Sequence, residues 1–533
     1  MTHIVRSSGI LLHPTSLPGR FGVGDLGAGA HRFVDFLAAA GQRWWQVLPL
    51  HPAVNDVECA ASPYKALSAF AGNPLLISLE TLDCWGWLEH AEVEEAAADP
   101  ALAAVDPNEA DYDIAESIKG RLLRVAGARY RERLRHDAHE RYHFGTFRER
   151  HHSWLADYAL FMAIREHFGG AEWHAWDDAD AICRTPEALR TYRDKLADLI
   201  FQYEFEQYVF FRQWTDLRQY ARERGVGLIG DIAIYVAENS SDVWANQHLF
   251  KLDERGRPTV VSGVPPDYFS ATGQRWGNPI YRWDLMHERG FVWWIDRVRT
   301  VMEQVELVRL DHFRGFEAYW EVPAHEPTAV RGEWVKGPGG ALFAALREAL
   351  GGNLPIIAED LGTITPEVFA LREAFDLPGM AIMQFAFADS EQARSYRPHN
   401  YRRNLVAYTG THDNDTVNGW WAELNRQREG DRRDPDGNIV PRHLIEAERR
   451  LAMAYLGIEE GETNVAPHFI RALMQSAADL ILIPLQDVLG LGNSSRMNVP
   501  GVQQGQWKWR FTSEMLGGRV IDDLRVMTHA FGR

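Results

Sequence analysis

The chain has 533 residues, 46% of them hydrophobic and 24% charged, the composition of an ordinary globular protein with ample core material. Its formal charge of -18 arises from 56 Lys and Arg against 74 Asp and Glu. That balance disfavours nucleic acid and anionic membranes, whose affinity rests on basic side chains, and is compatible with a neutral polar substrate. Cys59, Cys84 and Cys183 form no CxxC pair, so neither a disulfide framework nor a zinc knuckle is expected. The opening MTHIVRSSGILLHP does not read as a secretory signal, and no run approaches eighteen uninterrupted apolar residues. A cytoplasmic location is therefore expected. The 19 tryptophans and 17 tyrosines could cover sugar-ring faces, although most such rings serve as core.

Short apolar runs alternate with amphipathic stretches along the chain. The strand candidates are 9–13 (GILLH), 44–50 (WWQVLPL), 226–234 (VGLIGDIAI) and 307–313 (LVRLDHF), followed by 354–360 (LPIIAED), 379–387 (GMAIMQFAF), 404–413 (NLVAYTGTHD) and 480–490 (LILIPLQDVLG). They are too continuously apolar for one-sided strands and read as buried parallel ones. Helical patterns such as 31–41, 293–305 and 466–480 lie between them. Eight such alternations predict an α/β fold, a (β/α)₈ TIM barrel.

Two connections exceed a simple crossover: 51–225, with a loop and several helices including an aromatic-rich pattern over 188–224, and 235–306, with a Pro/Gly/aromatic run. Both are expected to be insertions, mainly helical, on one catalytic barrel spanning 1–533. Neither a flexible linker composition nor an internal repeat divides the chain. The charged stretch 426–443 reads as a solvated loop.

Barrels place their chemistry at the C-terminal ends of their strands. Asp231, Asp311, Glu359, Asp360, His412 and Asp413 all occupy such positions. Any one could merely cap a loop or join an ion pair, but four strands ending in acids around one mouth point to use. Arg309 lies two residues before Asp311 and shares its side of the strand, a placement that would hold the carboxylate ionised. Two carboxyl groups are the minimum for glycoside cleavage: one protonates the leaving oxygen and the other attacks the anomeric carbon. The same region also offers Asp231, His312, His412 and Asp413 as metal-ligand types, but no HxH or HExxH pattern anchors a metal site.

Eight longer motifs, in order, carry a resemblance: GILLHPTSLPG, SPYKALSAFAGNPLLI, GVPPDYFSATGQRWGNPIY, RLDHFRGFEAYWEVPA, IIAEDLG, PHNYRRN, YTGTHDNDT and IPLQDVLGLG. Together they resemble the amylomaltases, or disproportionating 4-α-glucanotransferases, over nearly the whole chain. The resemblance implies that Asp311 is the nucleophile, Glu359 the acid/base and Asp413 the transition-state stabiliser. It implies sugar-binding roles for Tyr64, Asp231, Asp267, Tyr268, Phe269, Gln274, Trp276, Arg309, His312, Asp360, His412 and Asn498. Tyr64 would stack beneath a sugar, and Tyr268 and Phe269 would ride a loop over the glucan groove. The implied partners are an α-1,4-glucan donor and a glucose or maltooligosaccharide acceptor, with no cofactor and no metal. An amylase-like hydrolase and a catalytically silent glucan-binding protein are the alternatives.

Two places depart from the family pattern. HPAVNDVECAASPYK (51–65) replaces a short Gly-rich loop of the type GPTGYGDSPYQ. In MNVPGVQQGQWKWR (497–510), Val499 and Gln506 stand where Thr and Asn are usual. Both are expected to alter subsite preference while leaving the chemistry intact.

Overall fold

The computed structural model describes residues 4–54, 61–266, 270, 272–362, 364–388, 390–426, 440–502 and 504–533. Eight parallel strands appear where the apolar runs predict them: β1 Ser7–Leu11, β2 Trp44–Gln46, β3 Gly227–Ile232, β4 Leu307–Leu310, β5 Ile356–Ala358, β6 Gly379–Ile382, β7 Leu405–Tyr408 and β8 Leu480–Pro484. Their order is β6-β7-β8-β1-β2-β3-β4-β5, the chain order read around a ring. The seam lies between β5 and β6, where the Ala358 N–H donates to the Pro378 carbonyl at 2.9 Å and nearly closes the barrel. Each strand ends earlier than its apolar run, because the last residues of each run turn off the ladder into the loops at the mouth.

Alternation sorts the side chains. Ile229, Leu307, Ile357, Met380, Val406 and Leu480 form one buried cluster, whereas Leu228, Val308, Ile356, Ala358 and Ala407 belong to the larger core shared with the helices. The first set fills the barrel interior and the second packs against the helical layer. Asp231, Arg309 and Glu359 lie two residues beyond interior residues of their strands and share that facing.

Residues 51–225 carry long helices at Tyr112–His136, Ala138–Arg150, His152–His167 and Ala197–Glu223. The stretch expected as one helix over 188–224 is two, Pro186–Lys195 and Ala197–Glu223, broken at Leu196 where φ reaches -110°. A four-stranded antiparallel sheet was not anticipated. It pairs Gln274–Pro279, Val260–Val264, Ala318–Pro323 and Glu333–Lys336 in that order. Strands from either side of β4 meet in it, a non-local pairing with no local sequence signal. Among the described residues, no helix is long and apolar enough to cross a membrane.

Candidate active site

Register sets the first pair of carboxylates side by side. β4 pairs with β5 so that Leu310 faces Ala358, which makes Asp311 and Glu359 the next residues on neighbouring strands. The ladder continues past the strand ends: Asp311 N–H donates to the Ile232 carbonyl at 2.9 Å, and Glu359 N–H to the Leu310 carbonyl at 3.1 Å. On the other side, register places Asp231 opposite Arg309.

Arg309 is the hub. Its Nη1 meets Asp231 Oδ2 and its Nη2 meets Asp311 Oδ1, both at 2.6 Å, so one planar fork fixes carboxylates from two strands. Tyr64 Oη donates to the same Asp231 oxygen at 2.8 Å. Burial outweighs the guanidinium at Asp231 and pushes it up to about 7. Asp231 Oδ1 is buried and accepts no hydrogen bond.

Glu359 is held by the backbone at both oxygens. His312 N–H donates to Oε2 at 2.8 Å and Leu361 N–H to Oε1 at 2.9 Å. The first bond requires a kink directly after Asp311. His312 provides it in the left-handed region, at φ 50° and ψ 50°, and opens the short turn Phe313–Phe316. Gly315 in that turn packs closely, since a Cβ there would stand 2.6 Å from Ile234 Cδ1 and 3.0 Å from His312 Cδ2, so that side chains would have to shift. Burial first, and the negative charge of Asp311 second, push Glu359 up to about 7, with Arg309 and the two amides pulling the other way.

Asp413, after β7, is the most exposed of the three at 42% of its side chain. Asn498 Nδ2 donates to its Oδ1 at 2.6 Å, and His412 Nε2 lies 3.4 Å from Oδ2. Burial lowers His412, which favours a neutral imidazole. Its ring lies nearly parallel to Tyr64 at 5.3 Å between centroids, and Trp507 closes on both rings at 5.7 and 5.9 Å.

Trp276 reaches the site from the antiparallel sheet, with its ring edge-on to His312 at 4.8 Å and its Nε1 donating to Gln274 Oε1 at 3.2 Å. Burial pushes His312 down to about 4, and its Nε2 has no partner. The structure thus brings together Tyr64, Asp231, Gln274, Trp276, Arg309, Asp311, His312, Glu359, His412, Asp413 and Asn498. Asp360 is placed apart from them. Alternation turns it to the helical side of β5, where Arg372 Nη1 and the Met380 N–H (2.8 Å) take its two oxygens. With both oxygens engaged, Asp360 forms a buried ion pair on the far face of its strand from Glu359. Asp267, Tyr268 and Phe269 lie outside the described residues, as do 55–60 of the atypical loop.

Arg496 and Trp507 carry no role in the sequence reading, although the quoted 497–510 run adjoins one and contains the other. The partners that tie them to the site, Asp413 and Asp415 for Arg496 and Tyr64 and His412 for Trp507, lie more than 80 residues away in the chain, so spacing offers no signal. Asp231 and Asp413 are engaged by Arg309, Tyr64, Asn498 and His412 rather than gathered with His312 as a ligand set. Among the described residues, no group of three or more His, Cys, Asp or Glu is arranged to hold a metal ion.

Residues 12–515 match a family model described as 4-alpha-glucanotransferase. A 4-alpha-glucanotransferase of Synechocystis is 45% identical over 99% of this chain and 98% of its own. One from Thermus thermophilus is 45% identical over 99% of both chains. Among solved structures, amylomaltase from Streptococcus agalactiae in complex with acarbose superposes with a TM-score of 0.89 at 36% identity, covering 99% of each chain.

Proposed function

This chain belongs to the 4-alpha-glucanotransferase family and is an enzyme of that activity, and on that premise we propose that it is a retaining transferase working through a covalent intermediate on Asp311. An Asp311 oxygen attacks the anomeric carbon of an α-1,4-linked glucosyl unit while Glu359 donates its proton to the departing 4-oxygen. The C1–O4 bond breaks, the non-reducing segment becomes a β-linked ester of Asp311, and the shortened glucan leaves. The 4-hydroxyl of glucose or another glucan then attacks the same anomeric carbon and gives its proton back to Glu359, as the bond from that carbon to the Asp311 oxygen breaks and the carboxylate is released. Two inversions restore the α configuration.

The observation that carries this reading is the pairing of unlike environments on adjacent strands. Asp311 is ion-paired with Arg309, whereas Glu359 is desolvated and raised to about 7, poised to hold and release a proton near neutrality. Neighbouring strands stand ~4.8 Å apart, close to the roughly 5–5.5 Å carboxyl separation of retaining enzymes. Asp413, steered by Asn498, supports the positive charge at the anomeric centre. The buried free atoms Asp231 Oδ1 and His312 Nε2 suit sugar hydroxyls, and Tyr64 and Trp276 supply ring faces. We read 51–225 and 235–306 as insertions serving one catalytic barrel. The fit of acarbose to a relative makes it the natural competitor here.

The test is incubation with maltotriose, following product sizes and reducing ends together. Transfer gives glucose plus a ladder of longer chains at a constant number of reducing ends. A rise in reducing ends matching the loss of maltotriose would instead indicate hydrolysis.

A further inference from the structure

Three interactions converge on the guanidinium of Arg496. Nη1 meets Asp415 Oδ1 at 2.5 Å, Nη2 donates to the Asp413 carbonyl at 2.7 Å, and Nε donates to the Asn498 carbonyl at 3.1 Å. Two of these partners belong to the loop after β7 and one to the strap that follows β8. The strap is itself tied down. Asn498 N–H donates to the His412 carbonyl at 3.1 Å, Trp507 N–H to the Met497 carbonyl at 2.6 Å, and Val499 N–H to Gln506 Oε1 at 2.7 Å.

The consequence lies at Asp413. Unlike Asp231 and Asp311, its carboxylate meets no guanidinium among the described residues. The Asn498 amide on Oδ1 and the more distant His412 on Oδ2 are the partners that hold its rotamer. The Asn498 bond forms only if the strap backbone at 498 and the loop backbone at 413 keep their spacing. Arg496 donates to both carbonyls and uses Asp415 to fix its own plane. The Arg496–Asp415 pair is part-buried, and with both backbone carbonyls it leaves the guanidinium one orientation.

We propose that Arg496 is a positioning residue for Asp413: by clamping the 413 and 498 backbones it aims the carboxylate at the anomeric carbon and sets the rate of bond breaking. The inference rests on the reading of Asp413 as transition-state stabiliser. It predicts a defect in kcat rather than KM, because the ground-state sugar contacts of Tyr64, Asp231 and Trp276 do not pass through Arg496.

The experiment compares Arg496→Lys, Arg496→Ala, Asp415→Asn and Asp413→Asn in the full chain, with maltotriose and with α-maltosyl fluoride as donors. Arg496→Lys is expected to lower kcat about 10–100-fold with KM changed less than about twofold. The loss should persist with the fluoride, whose departure needs no proton from Glu359. Asp415→Asn should give a smaller loss of the same kind, and added guanidinium should partly restore Arg496→Ala. Should Arg496→Ala fail to fold, the Lys and Asn variants decide. An inactive Asp413→Asn beside an Arg496→Lys of normal kcat, or with raised KM alone, overturns the positioning role. A normal Asp413→Asn overturns the stabiliser reading itself and the inference with it.

Discussion

The backbone amide of His312 donates to Glu359 Oε2 at 2.8 Å, so the residue that follows Asp311, the proposed nucleophile, holds the proposed acid. The bond depends on a left-handed φ of 50°, a conformation that Asn tolerates and β-branched residues resist. His312→Asn is therefore expected to keep the amide on Glu359 and leave the alkaline limb of the rate profile in place. His312→Val should strain the turn by about 1–2 kcal/mol, lower the melting temperature and displace that limb. Melting curves with pH–rate profiles of both variants check this.

A general acid must enter the first step protonated. Glu359 is raised from 4.5 to about 7 by burial and by Asp311, so kcat/KM should fall as pH rises through about 7 and Glu359 loses its proton. Removing the Asp311 charge removes one of the two raising causes. In Asp311→Asn, which the proposed mechanism expects to be inactive, the Glu359 carboxyl should titrate lower than in the parent, which difference infrared spectroscopy reads directly.

Asp360 distinguishes a structural from a binding role. Asp360→Ala would leave the Arg372 guanidinium without its buried partner and strip the Met380 N–H of its acceptor. A destabilisation of roughly 3 kcal/mol is expected, with KM for maltotriose close to the parent value below the melting transition. Denaturant titration and steady-state kinetics on the same preparation separate the two.

Glu206, in the helix Ala197–Glu223, is buried and pushed up to about 7 by that burial, with the Gln202 amide on Oε1 at 2.8 Å. Its folded pKa lies above its ordinary value of 4.5, so the native state holds the proton more tightly than the unfolded chain. Stability from this group therefore falls as pH rises from about 4.5 to about 7, and the full penalty applies above that. Glu206→Gln keeps an acceptor for Gln202 and removes the charge. It should stabilise the protein by on the order of 1–3 kcal/mol in alkaline buffer and by little in acid, as measured by chemical denaturation.

Much of this site is legible in the sequence because barrel strands carry their own address. An apolar run fixes facing, and the polar residue that ends it must sit at the mouth, which is how Asp231, Arg309, Asp311 and Glu359 are found. The same rule sets Asp360 apart: adjacent to Glu359, it falls on the opposite face, and family motifs print both without distinguishing them. What escaped depends on contacts between distant segments. Arg496 reaches Asp413 and Asp415, Trp507 reaches Tyr64 and His412, and the antiparallel sheet pairs 260–264 with 318–323. None of these leaves a periodic trace in its own segment.

The central claim is a covalent ester on Asp311. Reacting the Glu359→Gln variant with α-maltosyl fluoride should load the enzyme, because fluoride leaves without a proton, and then stall it, because the acceptor hydroxyl finds no base. Intact-mass measurement followed by peptide mapping should find one maltosyl group per chain, attached to the peptide bearing Asp311. An unmodified chain that nevertheless turns over the fluoride, or a maltosyl group mapped to a different carboxylate, would contradict the account.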